Sequence, residues 1–307
     1  VTVTSQLQSI SLDKTTLELA KGQNVKLNVI YHPTNTTDSK EVSWESSNPD
    51  VASVDQEGNV TAHENGKATI TVTSSVSGIN PATCEVNVTS KLQSIYFSEE
   101  ESNMELNKGN ETTLTVHYLP EDTTDSKTVS WESSDNSIAT VDENGKITAI
   151  KPGTVTIIAN CNGKIATSTI TVKSPLTGIE IVGGDRELLP GQKDNLSVTY
   201  TPEDTTDSKT VLWKTDKESI VEVDAKGTIT AIAPGTATIT ATCGEFTSEI
   251  NVTVPEVHTE KIAFENEKVT LTKNESMNAK ILYYPENTTD DKTVIWSSEN
   301  DSIATVD

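Results

Sequence analysis

Apolar and polar residues alternate in short runs along the whole chain, as in Leu7-Gln-Ser-Ile-Ser-Leu12, Leu92-Gln-Ser-Ile-Tyr-Phe97 and Leu176-Thr-Gly-Ile-Glu-Ile181. A period of two predicts half-buried strands, because successive side chains point to opposite faces of a sheet. After each of these runs a glycine turn at Gly22, Gly109 or Gly191 leads to a second strand, Val25–Tyr31 in the first case. Asn274 stands in the glycine's place near the end of the chain, a residue that tolerates positive φ better than most. A short strand ending in Val-Asp follows further on, then a tight turn at Gly58, Gly145 or Gly227 and another strand, which reads as a hairpin. After Gly66, Gly153 or Gly235 two more alternating strands close the pattern, for example Ala237–Thr242 and Ser248–Val254. No segment predicts a helix longer than one turn.

This series of strands recurs because the chain is a tandem array. The segment Pro120-Glu-Asp-Thr-Thr-Asp-Ser-Lys-Thr-Val-Ser-Trp131 has near copies that begin at Pro33, Pro202 and Pro285. The copies end at Trp44, Trp213 and Trp296, and the tryptophans lie 87, 82 and 83 residues apart. Proline with Asp and Thr makes each segment a rigid turn or a single helical turn. The pattern sets repeat 1 at residues 5–89, repeat 2 at 90–173, repeat 3 at 174–255 and a partial repeat 4 at 256–307, with residues 1–4 as the last strand of a preceding repeat. Both ends then read as those of an excised piece, any targeting or anchoring signal lying outside it. About seven strands per repeat with turns at regular spacing predict an all-β fold, a tandem array of Ig-like antiparallel β-sandwiches. Trp44, Trp131, Trp213 and Trp296 are the expected structural core, one ring per repeat on the inner face of a central strand. Linkers as short as Thr89-Ser-Lys91 and Lys173-Ser-Pro175 permit bending but no free tumbling. The expectation is an extended, monomeric rod that gains roughly 35–45 Å per repeat.

Composition narrows the function. The 307 residues hold 46 acidic and 23 basic side chains, a net charge of −23 spread along the chain, which repels nucleic acid and anionic lipid. No apolar run is long enough for a transmembrane helix, so no direct membrane insertion is expected. Cys84, Cys161 and Cys243 fall in three different repeats, which excludes a disulfide within any repeat, and the inward phase of the last two reads as small buried residues.

The motif Val42-Ser-Trp-Glu-Ser-Ser47, continued through Val51-Ala-Ser-Val-Asp55, Gly58 and Gly66-Lys-Ala-Thr-Ile70, resembles the bacterial Ig-like domain family, group 2. The resemblance covers all of repeats 1–3 and the partial fourth. Repeat 3 departs most, with Lys214-Thr-Asp216 for Glu-Ser-Ser and Val221-Glu-Val223 for Ala-x-Val. What the resemblance implies is an extracellular bacterial or phage protein, at the cell surface or secreted. Such arrays form stalks in invasin- and intimin-type adhesins and accompany secreted polysaccharide-active enzymes and phage structural proteins.

No catalytic pattern emerges. His32, His63, His117 and His258 lack metal-ligand spacing, and there is no nucleophile elbow, phosphate loop or cysteine pair, so no enzyme activity and no cofactor are expected. The richest polar cluster is the proline-to-tryptophan segment, with Asp38, Asp122, Asp125, Asp204, Asp207, Asp290 and Asp291 as weak calcium candidates, since calcium takes six to eight oxygens. Lys40, Lys127, Lys209 and Lys292 follow closely, so the same residues also read as turn caps with local counter-charges. The expected function is a non-catalytic stalk or adhesion segment spacing a functional head from the cell. The alternatives are a module that binds a host glycan, mucin or protein directly, or an accessory region of a polysaccharide-active enzyme or phage protein. Any partner is an extracellular protein or carbohydrate of unknown identity.

Overall fold

The computed structural model describes residues 4–307, so Val1–Val3, part of the segment read as the end of a preceding repeat, lie outside the described residues. Internal contacts divide the chain into two compact units, Val1–Lys173 and Ser174–Asp307. The first holds repeats 1 and 2, the second repeats 3 and 4.

Repeat 1 shows how the pattern folds. Its strands are β1 (Ser9–Leu12), β2 (Thr16–Ala20), β3 (Asn24–Lys26), β4 (Val29–His32), β5 (Val42–Ser46), β6 (Ala52–Val54), β7 (Asn59–Ala62), β8 (Gly66–Ser74) and β9 (Ala82–Thr89). One sheet has the order β2-β9-β8-β5; facing it are β3-β7-β6 and the pair β1-β4. All pairings are antiparallel except β2 with β9, where Leu17 and Leu19 lie beside Val86 and Val88 in parallel register. The strand expected over Val25–Tyr31 is thus divided into β3 and β4, and β2 is a strand additional to the one expected over Leu7–Leu12. Asp13 supplies the break: its carboxylate accepts from the Asn28 backbone at 2.9 Å and from the Asn28 side chain at 2.8 Å. The chain then crosses from one face of the sandwich to the other between β1 and β2.

Alternation does the rest. Ile70, Val72, Cys84, Val86 and Val88 from β8 and β9 pack against Leu27, Val60 and Trp44, each of them buried. Fully burying one such aliphatic side chain contributes roughly 1.5–3 kcal/mol, so the central hairpin dominates the core. Repeat 2 reproduces the arrangement, with Asn103–Asn107 running parallel to Lys164–Lys173. It adds a one-turn helix, Glu99–Ser102, held by a capping box between Ser98 and Glu101.

Repeat 3 has the same sheets, but its parallel ladder shrinks to Arg186 and Glu187 against Val252 and Thr253. Arg186 stands where repeats 1 and 2 place Leu17 and Met104. Its guanidinium is absorbed locally, by Asp194 at 3.0 Å and by the carbonyls of Val182, Gly183 and Gly184 at 2.6–2.7 Å. In residues 256–307, Lys261–Phe264 pairs with Ile281–Tyr284, Trp296 lies 5.9 Å from Phe264, and Ile295 is 93% exposed. Among the described residues no helix is long and apolar enough to cross a membrane.

Candidate functional site

The proline-to-tryptophan segment is where four copies of one polar cluster can be compared. A cis peptide bond precedes Pro33, Pro120, Pro202 and Pro285. The chain turns back at once, Thr123 N–H donating to Pro120 C=O at 3.2 Å in repeat 2.

The aspartate that directly follows the two threonines of the segment then reaches far back in sequence. Asp38, Asp125, Asp207 and Asp290 each accept a hydrogen bond from the backbone N–H of Leu7, Leu92, Leu176 and Thr259, at 2.7–2.8 Å. The threonines bind the same incoming chain: Thr123 Oγ1 and Thr124 Oγ1 both donate to the Ser90 carbonyl, at 3.0 and 3.1 Å. Thr36, Thr205 and Thr288 are buried like Thr123. Every copy therefore clamps the linker that leads into its own repeat.

The far end of the segment is fixed as well. Tyr31, Tyr118, Tyr200 and Tyr283 donate to the carbonyls of Lys40, Lys127, Lys209 and Lys292 at 2.7–3.1 Å. Each of these ammonium groups sits 4.9–5.6 Å from the centre of the same tyrosine ring. Burial pushes the phenols of Tyr31, Tyr118 and Tyr200 above their ordinary pKa.

The calcium candidates thus act as hydrogen-bond acceptors for backbone N–H groups and for serine and threonine hydroxyls. Asp122 takes Ser90 Oγ at 3.4 Å, Asp204 takes Ser174 Oγ at 3.1 Å, and Asp291 takes the N–H and hydroxyl of Thr293 at 3.0 and 2.7 Å. Among the described residues no group of three or more His, Cys, Asp or Glu side chains is arranged to hold a metal ion. Asp122 also touches the preceding repeat, with its carboxylate 3.3 Å from Lys21 Nζ and its carbonyl accepting from Asn65 Nδ2 at 2.6 Å. Lys21 pairs in turn with Glu64 at 2.7 Å. Such exposed ion pairs contribute little singly, but with the clamp they link repeats 1 and 2 on both sides of the junction.

Two outcomes test the clamp. Thr123→Val keeps the shape and removes a buried hydroxyl that serves Ser90 C=O and Asp125 N–H, so repeat 2 should lose about 1–2 kcal/mol in urea unfolding. An unchanged midpoint would mean that the hydroxyl is dispensable. The second outcome depends on pH. The Leu92 N–H, and after it Lys91, hold the Asp125 carboxyl below its usual value. A carboxyl depressed in the folded state stabilises fully above its unfolded pKa, about 3.9, and loses that contribution as pH falls through the folded value. The melting temperature of wild type should therefore exceed that of Asp125→Asn at pH 6, and the gap should close on acidification below the usual aspartate range. A gap that widens in acid would contradict the assignment.

Trp44 is buried at 7% exposure, while Trp131 and Trp213 are half-buried and pack against the cores of their repeats. Trp296 is half-buried too. Among the histidines, His32 and His63 bond Ser11 and Ser53 at 3.0 and 2.8 Å, and His117 stacks on Tyr96. His258 lies 2.9 Å from Asp290, whose hydrogen bond raises the imidazole pKa. The three cysteines are buried free thiols, and burial raises the pKa of Cys84 and Cys161.

Comparison with known proteins agrees with this architecture. The chain is 40% identical over 150 residues to an uncharacterized protein of Clostridium acetobutylicum, which covers 48% of this chain and 15% of that protein. It is 27% identical over 320 residues to ice-binding protein 1 of Shewanella frigidimarina, covering all of this chain and 35% of the relative. An alpha-L-arabinofuranosidase of Bifidobacterium longum matches at 37% over 90 residues, 29% of this chain and 8% of the enzyme. The chain thus spans about a third or less of each of these relatives. The model of the bacterial Ig-like domain (group 2) matches three times in tandem, over residues 6–86, 92–171 and 175–254. With that model matched across most of its length, the chain belongs to the bacterial Ig-like domain family, group 2.

Proposed function

We propose that this chain is a non-catalytic spacer of an extracellular bacterial protein, setting the distance between a functional domain and whatever anchors it. The observation that supports it most is the repeated clamp. The most polar and most faithfully copied segment is occupied with fastening each linker to its own repeat, through Leu7, Leu92, Leu176 and Thr259. A segment with that task sets the direction of the chain from one repeat to the next, which is what a spacer requires. The acidic surface fits a segment that stays dispersed outside the cell. The reading accommodates different heads, since the relatives carry ice-binding and arabinofuranosidase names and share only part of their length with this chain.

Small-angle scattering tests the reading within the first unit. Residues 5–173 should have a maximum dimension roughly 35–45 Å greater than residues 5–89, one sandwich length by strand rise. A gain of only a few ångströms would show repeat 2 folded back on repeat 1, and the spacer reading would fail.

A further inference from the structure

The strand that carries the tryptophan lies at the edge of its sheet in every complete repeat, not at the centre as the sequence pattern suggests, and repeat 1 shows what belongs beside it. There the Gln56 carboxamide accepts from Trp44 N–H and donates to Trp44 C=O, both at 3.4 Å. These are the two bonds that a residue of an added strand would make, so the Trp44 amide and carbonyl face away from β8. Leu212–Thr215 of repeat 3 has the same register, Trp213 opposite Ala241 as Trp44 is opposite Val72, so its amide and carbonyl also face outward. The position of Gln56 is taken by Ala225, which has no side-chain amide to offer.

An open groove lies beside this edge. A cavity of about 350 Å³ runs along this edge, lined by Val198, Tyr200, Val211 and Trp213 with Lys209 and Lys226 beside them. The change is electrostatic too. Where repeat 1 has Gln56-Glu57 and repeat 2 has Glu143-Asn144, repeat 3 has Ala225-Lys226. In the turn beside the groove a carboxylate is thus replaced by an exposed ammonium, on a chain that is strongly acidic elsewhere.

We propose that repeat 3 binds an extended acidic peptide segment along the open edge of Leu212–Thr215. The peptide backbone pairs with Trp213, alternate apolar side chains enter the groove, and a carboxylate meets Lys226. A peptide fits better than a glycan because the group filling the equivalent place in repeat 1 is an amide, bonded through both its N–H and its C=O. Strand addition of this kind takes its affinity from main-chain bonds and its specificity from the groove.

The test uses the full chain and a fluorescein-labelled Thr-Val-Glu-Val-Glu-Val-Thr peptide followed by anisotropy. Saturable binding at one site is expected. Ala225→Gln, which restores the plug of repeat 1, and Lys226→Glu should each weaken it by about tenfold, one well-made interaction at 1.4 kcal/mol per decade. The double variant Gln56→Ala/Glu57→Lys should raise the stoichiometry from one to two, an outcome that impaired folding cannot mimic. A backbone N-methylated peptide should not compete. Absence of saturable binding, or binding unchanged in Ala225→Gln, would overturn the proposal. So would binding of oligogalacturonate but not of the peptide, which would give the groove to an acidic glycan.

Discussion

Replacing Trp44 with alanine is expected to lower the stability of repeat 1 by about 3–5 kcal/mol, the range for removing a large buried aromatic side chain. The ring is 7% exposed and packs in the cluster of Leu27, Val60, Ile70 and Val72. Tyr31 also packs against this cluster, but its hydroxyl is committed to the Lys40 carbonyl at 2.7 Å, which holds the ring in place. A domain of this size has roughly 4–13 kcal/mol in hand at 0.05–0.15 kcal/mol per residue, which places the variant near global unfolding of that repeat. Hydrogen exchange resolves the result by segment, as a single melting temperature for several domains does not. Amides in β8 and β9 should lose protection while those in Gly235–Cys243 and Phe246–Val254 keep theirs. Full protection in repeat 1 would show that the ring is a surface platform and not a core residue.

The second large effect comes from Gly145→Ala. Its φ is +79°, and a Cβ there would lie 2.5 Å from Cζ2 and 2.9 Å from Cη2 of Trp131. Gly58 and Gly227 sit against Trp44 and Trp213 in the same way, so the hairpin glycine and the tryptophan form one packing unit in all three complete repeats. The left-handed backbone costs an alanine about 1–2 kcal/mol, and displacing a packed ring about 1–3 more. Gly109 supplies the control, because it has φ +86° in the same repeat and open space where its Cβ would be. Gly109→Ala should therefore show the backbone cost alone. In a Trp131→Phe background the shorter ring should reduce the penalty of Gly145→Ala by about 1 kcal/mol, since contacting sites do not add. Equal penalties at positions 109 and 145 would remove the steric part of the account.

Much of this fold could be read from local pattern. The hairpin at Gly58 follows from the Asp-Gly chemistry, and Asp55 Oδ1 accepts from Glu57 N–H at 3.0 Å and Asn59 N–H at 2.8 Å as such a turn requires. The split of Val25–Tyr31 into β3 and β4, and the parallel pairing of β2 with β9, could not be read, because alternation reports which side chains turn inward and not which distant strand lies alongside. The aspartate segment is a similar case. Carboxylates near hydroxyls suit a cation or a capped turn equally, and the partner that decides Asp38, the Leu7 N–H, lies 31 residues away. In repeat 3 the more conspicuous departure, Lys214-Thr215-Asp216, does a task that the other repeats also perform. Asp216 Oδ1 accepts from Thr238 N–H at 2.6 Å, as Ser47 Oγ does from Thr69 N–H at 2.8 Å. The departure that leaves the tryptophan strand without the amide cover of repeat 1 is the small one at Ala225, which stands out only when three turns are set side by side.

The parallel strand near the start of each repeat also determines how the chain answers to tension. When the two ends of a repeat are drawn apart, β2 and β9 are pulled along their length in opposite directions, so their hydrogen bonds are sheared together rather than opened one after another. Repeats 1 and 2 present five residue pairs to that shear, Thr16–Ala20 against Glu85–Thr89 and Asn103–Asn107 against Thr169–Lys173. Repeat 3 presents two. Single-molecule stretching should therefore rupture repeat 3 at the lowest force among the complete repeats, and equal rupture forces for all three would sink the idea. The arginine loop that shortens the ladder makes repeat 3 the mechanical fuse among the three complete repeats.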